Sequence, residues 1–72
     1  MIEKIKDDEL RNKTLNSLNK DTSTVAYFYK CALGQLSKCK GDIKQDWKII
    51  VEVLRKDLSI RKTIREEGII DG

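Results

Sequence analysis

Apolar side chains recur along this chain with the period of an α-helix, and they do so most clearly in its middle. If each residue is turned by about 100° from the last, Val25, Phe28, Tyr29, Ala32, Leu36 and Cys39 fall on one face. That stripe predicts a helix over about 23–39. Lys38, Lys40 and Gly41 form its expected end, because bases suit the negative helix terminus and glycine accepts a left-handed cap.

A weaker stripe of Leu10, Thr14, Ser17 and Leu18, with Leu15 to one side, predicts a first helix over about 7–18. Asp7, Asp8 and Glu9 place negative charge at its start, where the helix dipole favours it. The polar run from Asn19 to Thr24 reads as a stop followed by a new cap.

A third helix is expected to begin at Ile43, capped by Asp42. Ile43, Trp47, Ile50, Val51, Leu54 and Leu58 share one face, with Trp47 as the expected core anchor. A second apolar row of Ile49, Val53, Ile60 and Ile64 lies roughly 130° around the same helix. Leu58 continues the first row and Ile60 the second, so the reading is one long helix with a stop at Gly68 and a short tail over 69–72. A break at Asp57-Leu58-Ser59, with Ser59 as a cap, is the alternative. The expected fold is therefore an all-α, single-domain bundle over 1–72, with three helices, or four if Ser59 breaks the last.

Composition agrees with helices. The 72 residues include no proline and four glycines, too little punctuation for an all-β fold. Apolar residues make up 39% and charged ones 38%, so the core is small and its net stability only a few kcal/mol. No run approaches the roughly 18 apolar residues of a membrane span, and the acidic N-terminal stretch does not resemble an export signal. A cytoplasmic, intracellular protein is expected.

The chemistry on offer is sparse. Histidine is absent, which removes the commonest general base, and no glycine-rich phosphate loop or paired nucleophile and base can be assembled. Cys31 and Cys39, about 12 Å apart along one helix, cannot form a disulfide with each other or complete a zinc site alone. They are expected to be buried as small apolar residues. No enzyme, cofactor, metal or small-molecule substrate is expected.

Two surfaces stand out instead. The first two helices offer too little apolar area to cover both rows of the third. Ile49, Val53, Ile60 and Ile64 are therefore expected to form a protein interface, with Tyr27 on the back of the second helix as an addition; the alternative is a third helix wedged between the other two, with both rows buried internally. The expected function is a non-enzymatic protein-interaction module: a homodimeric regulator or inhibitor that also occludes a surface of another protein.

The alternative is a nucleic-acid-binding regulator. Lys44, Lys48, Arg55 and Lys62 project at nearly one angle over about 27 Å, joined by Arg61 and Arg65, as phosphate contact requires. Glu52 and Glu66, four residues after Lys48 and Lys62, equally suit a solvated face laced with ion pairs. A helix-turn-helix over 47–56 and 59–67 would lack the usual turn glycine and end in Glu66-Glu67, which phosphates repel.

Overall fold

The computed structural model describes residues 1–67, so the expected stop at Gly68 and tail over 69–72 lie outside the described residues. Among the described residues the chain forms a short 3-10 turn (Ile2–Lys4) and three α-helices, with no strand. These helices are α1 (Asp8–Leu18), α2 (Thr22–Lys38) and α3 (Asp42–Glu67). The fold is thus a three-helix bundle with a long last helix, and Ser59 neither breaks nor caps it. Without a turn at 57–59, the helix-turn-helix considered over 47–56 and 59–67 does not form.

Local chemistry sets the boundaries. The Asp7 carboxylate accepts the Leu10 amide at 3.0 Å and starts α1, while Asp21 accepts the Thr24 amide at 3.2 Å and starts α2. The Thr24 hydroxyl also donates to Asp21. These bonds hold the Asp21 carboxyl below its ordinary value, the hydroxyl of Thr24 contributing most and its amide next.

Two caps differ from expectation. Lys38 is the last residue of α2, and Cys39 follows in an extended conformation rather than a left-handed one. Gly41 does take the left-handed form, with φ of 73°, but one residue before α3. There its carbonyl accepts the Gln45 amide, so glycine turns the chain into α3 and Asp42 is already helical.

α2 and α3 form an antiparallel hairpin around a small core of Val25, Ala32, Ile50 and Leu54, which leave essentially no surface exposed. Phe28 and Trp47 meet edge to face across it, their ring centroids 6.3 Å apart. α1 supplies Thr14 and Ser17 to the interior, small residues that let the thin helix lie close. Their hydroxyls are satisfied by Leu10 O and Thr14 O, each at 2.8 Å.

The fifth core residue is Ile5, outside any expected helix and almost wholly buried. It is held there by Asp46, which is 3% exposed and accepts the backbone amides of Lys6 and Asp7 at 2.9 and 3.0 Å. Arg11 adds a bond to Ile5 O at 2.8 Å. The N-terminal segment is therefore a strap across α3, not a free end.

A second latch lies at the other end. Arg61 donates to Asp57 at 2.7 Å, to Leu18 O at 3.0 Å and to the Thr22 hydroxyl at 3.3 Å. It ties the distal part of α3 to the α1–α2 connection and satisfies a carbonyl that the end of α1 leaves without a helical partner.

Candidate functional site

The second row of α3 is divided by the fold. Ile49 packs against the core. Val53 is half-buried and Ile60 is 59% exposed, and together they line a surface hollow with Met1, Leu18, Lys56 and Asp57. Ile64 is half-buried in a different hollow, with Thr22, Leu58, Arg61, Lys62 and Arg65. Two of the four aliphatics therefore share one apolar site, and Ile60 is its raised edge.

Met1 is 48% exposed and Leu18 half-buried, so the N-terminal strap and the end of α1 complete that site. Leu15, 45% exposed, follows Arg11 by one helical turn on the flank of α1 that faces the strap. Neither Met1 nor Leu18 was expected here, because only folding places the strap beside α3.

Tyr27 is 71% exposed, but it stands on the outer side of α2 with Ser23, Ala26, Tyr29, Lys30 and Leu33. The fold does not bring it to Val53 and Ile60. Cys31 is exposed too, contrary to the expected burial, because it lies on the side of α2 turned away from Val25 and Ala32. Cys39 is half-buried, 3.7 Å from the Gln35 side-chain oxygen.

α1 and the strap cover one side of the α2–α3 hairpin. On that side Leu10 and Lys13 of α1 line a hollow together with Gln35, Cys39, Ile43 and Trp47. On the other, Leu33, Leu36 and Ser37 of α2 and Lys44 and Lys48 of α3 line a hollow to which α1 contributes nothing. Leu33 is 42% exposed and belongs both to this hollow and to the one containing Tyr27, so the two form a continuous face.

Charge on this face is uneven. Lys44, Lys48, Arg55, Lys62 and Arg65 are all exposed, whereas Arg61 is largely committed to its three intramolecular bonds. Arg55 holds both oxygens of Glu52, at 2.9 and 3.2 Å, and Lys62 lies 4.0 Å from Glu66. Among the described residues, no carboxylate comes within ion-pair distance of Lys30, Lys44 or Lys48. α2 itself contains no acidic residue.

Among the described residues no cluster of three or more Cys, Asp or Glu could hold a metal. No helix among them is long and apolar enough to cross a membrane. What the fold defines is a class, a small all-α three-helix bundle with one strapped side and one open side. No protein-family model, curated protein or solved structure matches this chain.

Proposed function

We propose that this chain is a non-enzymatic protein-interaction module, a homodimer that regulates or inhibits by occupying a surface of another macromolecule. Ile60 carries the reading. It is 59% exposed on a continuous helix, next to a hollow floored by Val53 and Leu18. A knob and a socket on one patch suit a two-fold interface, where the same surface meets itself. Covering the exposed 59% of Ile60 contributes roughly 1–2 kcal/mol, and a two-fold axis counts that gain twice.

Sedimentation of the wild-type chain and of Ile60→Asp tests this. The wild type is expected to dimerise, and the variant to sediment as a monomer with unchanged helical circular dichroism. A wild type that stays monomeric at high concentration overturns the homodimer.

A second reading, nucleic-acid binding, is favoured by the exposure of Lys44, Lys48, Arg55 and Lys62 along one flank of α3. The acids beside Arg55 and Lys62 weaken it, because they offset half of that row. Its signature would be an affinity that falls steeply with added salt.

A further inference from the structure

The open face of the α2–α3 hairpin combines features that nothing in the homodimer reading uses. Leu33 and Leu36 form an apolar floor, Tyr29 and Tyr27 extend it along α2, and Lys30, Lys44 and Lys48 stand around it. On α3 this face lies roughly opposite the flank that carries Val53 and Ile60, so both surfaces can be occupied at once.

We propose that this face docks an acidic amphipathic helix of another protein. The apolar side of such a helix would cover Leu33 and Leu36, and its carboxylates would meet Lys30, Lys44 and Lys48. The proposal rests on the reading of this chain as an interaction module and names the chemistry of the partner.

Three observations select that occupant. First, a floor of aliphatic side chains gains by meeting other aliphatics, whereas a phosphate backbone gains nothing from it. Second, none of the three bases around the floor has a carboxylate within ion-pair distance among the described residues, whereas Arg55, farther along the same flank of α3, is held by Glu52. Third, α2 has no carboxylate to repel an acidic ligand. Complementary charge at a rim speeds encounter and excludes wrong partners, while the buried apolar centre supplies affinity. A groove that takes an amphipathic helix is also a recurring mode of peptide recognition.

The test uses the full chain and a fluorescent synthetic peptide of about 15 residues, roughly 22 Å as a helix, with leucines on one face and glutamates on the other. Two control peptides accompany it: a scrambled one of identical composition, and one with lysines replacing the glutamates. Fluorescence anisotropy is expected to show micromolar binding of the first peptide alone. The double variant Lys44→Glu/Lys48→Glu and the single variant Leu33→Asp should each weaken it by about tenfold or more. All three positions are exposed, and circular dichroism checks that the variants fold. Ile60→Asp should bind the peptide as the wild type does, even where it abolishes the homodimer, which separates failure of one idea from failure of the other.

Equal binding of the scrambled peptide, or no binding of the amphipathic one, overturns the proposal. So does a chain that ignores the peptide but binds a uridine oligonucleotide or phosphatidylserine vesicles.

Discussion

The carboxylate of Asp46 receives the backbone amide of Lys6 at 2.9 Å across 40 residues of chain. Its second oxygen receives the amide of Asp7, so one side chain ends the strap and leads into α1. Removing it leaves two donors near the bundle surface without partners. Asp46→Ala is expected to lower stability by about 2–4 kcal/mol, since hydrogen bonds to charged groups contribute more than neutral ones. Urea unfolding measures the loss, and faster amide exchange at Lys6 and Asp7 would locate it. A change below 0.5 kcal/mol, about the size of an ordinary surface substitution, would refute the strap.

Arg61 performs the corresponding task at the far end of α3. Arg61→Lys keeps the charge but loses the planar fork that reaches Asp57, Leu18 O and the Thr22 hydroxyl together. The cost should be about 1 kcal/mol, moderated by partial exposure of the pair with Asp57. Thermal unfolding of the two proteins gives the comparison. If lysine substitutes without loss, the fork geometry has no energetic role.

Ser59 distinguishes a continuous helix from a broken one. It is exposed in the middle of a helical segment, where alanine has the higher propensity. Ser59→Ala should therefore raise stability by a few tenths of a kcal/mol. A helix-capping serine would instead cost about 1 kcal/mol on the same change. The sign of the shift in urea midpoint separates the two.

The second row of α3 should split into two behaviours. Ile49→Ala is expected to cost about 2 kcal/mol of folding stability, because Ile49 packs against the core and leaves a void. Ile60→Ala, at an exposed position, should leave monomer stability within about 0.5 kcal/mol and change association instead. Unfolding at low concentration reads the first effect and sedimentation the second. Similar folding losses at both sites would contradict the division.

Asp21 predicts the direction of an acid effect. Its hydrogen bonds to Thr24 lower the folded-state pKa from the ordinary 3.8. A depressed carboxyl contributes stability that is present above its unfolded pKa and is lost as pH falls through the folded one. The start of α2 should therefore loosen on acidification below about pH 3.8. In Asp21→Asn that part of the pH dependence should vanish. Exchange of the Thr24 amide across the acid range measures it, and identical profiles would exclude the cap as its origin.

The helices were readable in advance because their signals are local. The stripe from Val25 to Leu36 states which face of α2 turns inward, and Val25 and Ala32 are indeed its most buried positions. The shared phase of Leu58 and Ile60 with the rows before them marked α3 as one rod, which it is. The thin stripe of α1 also contains its most buried positions, Thr14 and Ser17.

Periodicity could not reveal what depends on residues distant in the chain. Ile5 stands among charges with only Ile2 at helical spacing, too little to mark an element, and Asp46 reads as an ordinary polar residue on a helix. Each makes sense only beside the other, once the strap crosses α3. The same holds for the rows of α3: phase alone places Ile49 with Ile60, yet Ile49 packs against the core and Ile60 is left mostly in water. Tyr27 likewise went to a face of its own. A repeat along one helix specifies angle, because backbone geometry is the same at every turn. Which angles are covered depends on where other segments dock, and that is settled by long-range packing and by buried bonds such as those of Asp46 and Arg61.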